Sequence, residues 1–117
     1  SGEMAVQAAR TQVAQADARD MSVRNFFAHV NPDGLQPWDR ASAAGISFSA
    51  MAENIGWSTG FSSPADGVRS NHEAMMAETP PNDGHRVNIL NPRFKKVGIG
   101  VYVGPDHRTF YVADFID

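Results

Sequence analysis

The C-terminal stretch constrains this chain most. Val97, Ile99, Val101 and Val103 alternate with Gly98, Gly100 and Tyr102, and Gly104-Pro105-Asp106 then turns the chain into Thr109–Ile116. The pattern predicts a β-hairpin whose second strand carries apolar residues on both faces. A hairpin apolar on both sides needs one layer above it and another below. The glycines fall on one face, where they let a helix or loop approach the strand closely.

The upstream sequence supplies those layers. From Glu3 to about Met21 the chain is rich in Ala, Gln and Arg, and Val6, Ala9, Val13 and Ala16 define a narrow apolar stripe on a surface helix. Asn31-Pro32-Asp33-Gly34 is a turn, so His29 stands just before a loop. Pro37 at a first helical position, with Gly45 as a C-terminal cap, predicts a short helix. Ile46–Ser58 reads as an extended or irregular lining segment containing Ala52-Glu53-Asn54-Ile55-Gly56-Trp57. Ser63 is an N-cap and Pro64 opens a second long helix with the stripe Val68, His72, Met75, Met76 and Thr79. Pro80-Pro81 ends it, which places Glu78 in its last turn. Asn82-Asp83-Gly84 then delivers His85, and Arg86 to Leu90 form a helical turn closed by Asn91-Pro92.

At 117 residues one core is expected, a single domain over residues 1–117. Ten Lys and Arg against thirteen Asp and Glu leave a net charge of −3, and no basic cluster forms, which argues against a nucleic-acid partner. With no cysteine, disulfides, thiolate metal sites and cysteine nucleophiles are excluded. The longest strongly apolar run, Val97 to Val103, is far shorter than the roughly 20 residues of a membrane helix, so no membrane span is expected.

Several familiar chemistries fail on spacing. His72-Glu73-Ala74-Met75-Met76 starts like a helical zinc-protease motif, but Met76 stands where the second histidine is required. Gly60-Phe61-Ser62-Ser63-Pro64 ends in proline where a nucleophile elbow needs glycine. Gly98-Ile99-Gly100 lies in a strand and lacks the third glycine of a dinucleotide loop. Of the four histidines, His107 belongs to an exposed hairpin turn, and His72 reads as a core or rim residue of its helix. His29 and His85 each border a turn that can hold a polar side chain towards a cleft, although no short-range spacing joins them.

Taken in order, Phe27-Ala28-His29, Asn31-Pro32-Asp33-Gly34, Pro37-Trp38-Asp39-Arg40, Ala43-Ala44-Gly45, Ala52-Glu53-Asn54-Ile55-Gly56 and Gly84-His85-Arg86-Val87-Asn88-Ile89-Leu90-Asn91-Pro92 resemble the bacterial branch of the CAP superfamily, the SCP domains of cysteine-rich secretory, antigen 5 and pathogenesis-related proteins. The match runs from about Ala16 to the C-terminus. It implies an α+β fold, a three-layer α/β/α sandwich around a central antiparallel sheet. It also implies a central cleft with two histidines and two acids, a divalent-metal site in several members. His29, Glu53 and His85 match that set directly. Glu78 matches the second acid, with Met75 in the place of the usual tryptophan. His72, Asn54 and Arg86 are further cleft candidates, and Asn54, Arg86 and Asn88 match positions that hold loops.

The resemblance further implies an extracellular or cell-envelope location, reached through an export signal that this sequence does not contain. The usual family opening before the first helix is missing, so Ser1 is read as starting inside the natural domain and Ser1-Gly2 as a cleavage scar. Two imidazoles with one or two carboxylates suit Zn²⁺ better than Mg²⁺ or Ca²⁺. The leading expectation is therefore a secreted binding module holding a divalent metal, its partner an extracellular small molecule, lipid or protein. A hydrolase in which metal-bound water or a His-Glu pair acts as general base is the alternative. Lipid carriage comes third, since the sequence itself shows no apolar groove.

Overall fold

The structure, a computed structural model, describes residues 2–117; Ser1, half of the dipeptide read as a cleavage scar, lies outside the described residues. In chain order the elements are α1 (Gly2–Val23), α2 (Pro37–Ala43), β1 (Met51–Ser58), α3 (Pro64–Met76), α4 (Gly84–Leu90), β2 (Lys96–Val103) and β3 (Thr109–Ile116). The strands form one antiparallel sheet in the order β1-β3-β2. The hairpin is therefore β2-β3, and β1 adds on the far side of β3, which becomes the central strand.

Side-chain alternation along β3 sorts the core into two layers. Phe110 and Val112 pack with Ile55 of β1 against Ala14, Ala18 and Met21 of α1, while Ile116 on the same face meets Ala41 of α2 and Ile46. Tyr111 and Ala113 face the other way, onto Met75 of α3, with Val68 and Ile89 alongside. These are the three layers of the expected α/β/α sandwich. Gly98 and Gly100 perform the predicted close approach, since a Cβ at either would collide with the backbone of α1 at Arg10 or at Ala14 and Gln15.

Three expectations need correction. Burial on both faces holds for β3 but not for β2, an edge strand on which Ile99 is 47% exposed and Val97 and Val103 are also exposed. The inward face of α1 is only partly the Val6-Ala9-Val13-Ala16 stripe: Ala9 and Val13 pack against the Ala41-Ile46-Ile116 cluster, but Val6 and Ala16 are exposed and the fully buried face is Arg10, Ala14, Asp17, Ala18 and Met21. Helix α3 starts as predicted, with the Ser63 hydroxyl accepting from the Asp66 N–H, but it ends at Met76. Glu78 consequently lies beyond the helix rather than in its last turn, with its N–H on the Met75 carbonyl.

Candidate functional site

His29 sits on the loop between α1 and α2, and that loop is built by Asn31. The buried Asn31 side chain accepts from the N–H groups of Asp33 and Leu35, both at 3.0 Å, and its N–H donates to the Leu35 carbonyl. Gly34 closes the turn with φ +81°, a conformation that favours glycine. The loop carries the His29 ring to β1, where Nδ1 lies 3.0 Å from Glu53 Oε1. Glu53 is fixed because it belongs to a strand paired residue by residue with β3. Its side chain is only 1% exposed, against 49% for His29.

Beneath that pair lies a buried ionic cluster. Arg40 of α2 reaches Glu53 Oε2 at 3.1 Å and Asp17 Oδ2 at 3.3 Å, and its other terminal nitrogen donates to the carbonyls of His29 (2.9 Å) and Leu35 (3.0 Å). One guanidinium thus ties α1, the His29 loop and β1 together. Asp114 stands opposite Glu53 across the β1-β3 pairing. Burial pushes its carboxyl up to about 9, reinforced by the neighbouring Glu53. Its buried oxygens meet no donor, so burial beside Glu53 keeps the proton on Asp114. Desolvation also raises Asp17, to about 6, and Glu53, with Arg40 opposing both shifts.

Replacing Arg40 by Met should therefore be costly. The side chain is 12% exposed and its two carboxylate partners 1% each, so the variant strands two buried acids and two carbonyls. We expect a loss of about 3 kcal/mol at pH 7 in urea unfolding. Arg40→Lys should recover little, because a single ammonium cannot reproduce the planar fork. A loss under about 1 kcal/mol for Arg40→Met would show that the cluster does not hold the loop.

His85 and Glu78 form the second pair, with Nδ1 2.7 Å from Glu78 Oε2. Arg86 contributes its backbone N–H to Glu78 Oε1 at 3.0 Å. Desolvation pulls Glu78 upward, but the hydrogen bonds from His85 and the Arg86 N–H outweigh it and hold the carboxyl below its ordinary value. Asn54, next to Glu53 on β1, points to the opposite face of the sheet. Its amide donates to the His85 carbonyl at 3.1 Å, and its oxygen accepts from Asn88 at 2.8 Å.

The four residues matched by sequence are thus arranged as two His-Glu pairs. His29 and Glu53 line a pocket of about 280 Å³ with Gln36, Pro37, Trp38 and Ala52, a lining that does not extend to Glu78 or His85. His72 is exposed in another place, a mostly apolar groove between α3 and β2 lined by Val68, Ile99, Val101 and Tyr111, away from both pairs. Among the described residues no three His, Cys, Asp or Glu side chains gather into a group that could hold a metal ion. Both glutamates are already engaged, by His29 and Arg40 in one case and by His85 and Arg86 in the other. As arranged, the donor set does not fit a four-ligand shell. The sequence reading missed Asp17 and Asp114, although each is an acid inside a small or apolar run, Ala14 to Ala18 and Val112 to Ile116, where a charge needs a partner.

The family model of the cysteine-rich secretory proteins, CAP, matches residues 3–115. The Bacillus subtilis (strain 168) protein YkwD is 36% identical over 87 residues, which cover 74% of this chain and 30% of YkwD. The membrane protein YlbC of the same strain is 28% identical over 105 residues, covering 90% of this chain and 26% of YlbC. The chain therefore spans less than a third of either relative. Among solved structures, an extracellular SCP-domain protein of Bacillus anthracis superposes with a TM-score of 0.75 at 27% identity, over 92% of this chain and 31% of that one. An outer surface protein of Borrelia burgdorferi shares the fold, with a TM-score of 0.76 at 17% identity, over 94% and 74% of the two chains. Among the described residues no helix is long and apolar enough to cross a membrane. Cysteine-free as it is, this chain belongs to the CAP, or cysteine-rich secretory protein, family.

Proposed function

We propose that this chain is an exported ligand-binding module whose binding groups are the imidazoles of the two His-Glu pairs. One observation carries the reading: each histidine has Nδ1 against a carboxylate while its ring stays 40–49% exposed. A carboxylate that accepts the Nδ1–H fixes the tautomer and leaves a lone pair on Nε2, facing outward. The same placement of a carboxylate behind an imidazole occurs in metal sites. Zn²⁺ serves as the probe of these exposed imidazoles as single donors, not as the occupant of a four-ligand site. Export is supported by the extracellular description of the Bacillus anthracis neighbour.

The hydrolase alternative has less support. Among the described residues no hydroxyl is hydrogen-bonded to either imidazole, so a His-Glu pair would have to activate water. Turnover of ester or peptide substrates that His85→Ala abolishes would replace binding by hydrolysis.

Calorimetry with Zn²⁺ should show weak binding that His29→Ala and His85→Ala each reduce. The same variants should cost no more than about 1 kcal/mol in stability without metal, because both rings are half solvated. Heats unchanged in both variants would remove the pairs as binding groups. Losses of about 3 kcal/mol would make them structural instead.

A further inference from the structure

Helix α4 carries His85, yet it has little of its own to hold it in place. It is seven residues long, begins with Gly84, gains no side-chain cap from Asp83 and buries no residue completely. Val87 and Leu90 are exposed, leaving half-buried Ile89 as its apolar anchor against the Met75-Tyr111-Ala113 cluster. A helix this short is not stable on propensity alone. Its remaining ties are polar, and Asn54 provides two of them.

We propose that Asn54 is the positioning residue of the His85-Glu78 pair, clamping α4 to the sheet so that the His85 ring meets Glu78. The side chain is 1% exposed and rises from β1, whose backbone is fixed by pairing with β3. Its amide nitrogen donates to the His85 carbonyl, and its oxygen accepts from the Asn88 amide one turn further along α4. The two bonds grip the helix at positions three apart, on the same face, and fix its rotation about its own axis as well as its distance from the sheet. Rotation decides where the His85 ring points. The neighbouring Glu53 faces the other layer and holds His29, so consecutive residues of one strand each hold one of the two pairs. This inference concerns how the second pair is held, and it stands whether or not that pair binds a ligand.

Two variants test it by nitrogen-15 NMR of the histidine rings and by amide hydrogen exchange, both on the full chain. Asn54→Leu removes both bonds. Asn88→Ala removes one from a half-buried surface position and remains informative if the first variant fails to fold. At a pH where the rings are neutral, wild-type His85 should carry its proton on Nδ1, facing Glu78. In each folded variant the ring should shift towards the Nε2–H form of an unrestrained imidazole, as it should in Glu78→Ala, which removes the acceptor, while His29 stays as in wild type. Amides of residues 86–90 should exchange about ten-fold faster, with β3 unchanged. A folded Asn88→Ala with wild-type His85 tautomer and α4 protection would overturn the proposal. Equal acceleration in α4 and β3 would do so as well, by making Asn54 a general core residue.

Discussion

Gly100→Ala should melt about 15 °C below the wild-type protein. Gly100 lies in β2 directly under α1, and a Cβ there would fall on the backbone of Ala14 and Gln15, not on side chains that could rotate away. Relief requires α1 to lift from the sheet. That movement separates Ala14, Ala18 and Met21 from Phe110 and Val112 in the core. It also strains the edge contact in which the Gln15 amide donates to the Val101 carbonyl at 2.7 Å and accepts its N–H at 2.9 Å. Overpacking against an unyielding neighbour together with a partly opened core amounts to about 4 kcal/mol. At roughly 4 °C per kcal/mol for a domain of this length, the shift in Tm follows.

Two controls separate this effect from a generic one. Gly60→Ala meets nothing within 4 Å but has φ +82°, so it should cost about 1 kcal/mol from backbone strain alone. Ile99→Ala, next to Gly100 but half exposed, should also cost about 1 kcal/mol, well under the usual range for a core isoleucine. Thermal melts of the three variants in one buffer decide the matter. If Gly100→Ala melts within a few degrees of Gly60→Ala, α1 is not seated on β2 as described.

The contrast between Gly100 and Ile99 marks what the sequence made legible. Alternation in the hairpin and the glycines on one face of β2 pointed correctly to layers on both sides and to a close helix. Alternation reports which residues share a face but not which strand is central, so Ile99 reads as core until β1 is known to pair with β3 and leave β2 at the edge. In α1 the apolar stripe misleads because the buried face carries Arg10 and Asp17, and a count of apolar residues places any charge outside. The small residues Ala14 and Ala18 are buried for the reason that Gly98 and Gly100 are glycines: helix and strand lie close together.

The candidate site divides in the same way. Ordered motifs singled out His29, Glu53, Glu78 and His85, but not which histidine meets which glutamate, because those contacts form only when loop, strand and helix come together. Local sequence also placed Glu78 inside a helix that ends at Met76, four residues before the Pro80-Pro81 stop. Proline marks where a helix must have ended, not where it does end. Arg40 lay within a recognised motif without an assigned role. Its function as a hub appears only when α1, the His29 loop and β1 converge on it.

That hub sets the pH dependence expected of the fold, which runs opposite to ordinary acid denaturation. Asp114, Asp17 and Glu53 all have carboxyls raised by burial, Asp114 to about 9 and Asp17 to about 6. Below the unfolded value of 3.8 for aspartate both states hold the proton, and no difference arises. Above it the unfolded chain gives up its protons while the folded protein keeps them, so stability falls as pH rises. One retained proton accounts for about 1.4 kcal/mol per pH unit. The Asp17 contribution ends near pH 6, and that of Asp114 continues to about 9. Acids with lowered values, Asp33, Glu78, Asp106 and Asp117, act in the opposite sense, but their window lies below about pH 4 and most of them are solvated. Stability should therefore peak near pH 4 and fall by about 5 kcal/mol between pH 5 and pH 8, seen as a drop in Tm of more than about 10 °C. Asp114→Asn keeps a donor towards Glu53 without the titrating proton, so it should flatten the slope above pH 6 and melt above wild type at pH 8. A wild-type Tm that holds level or rises from pH 5 to 8 would show instead that Asp114 is ionised in the folded protein.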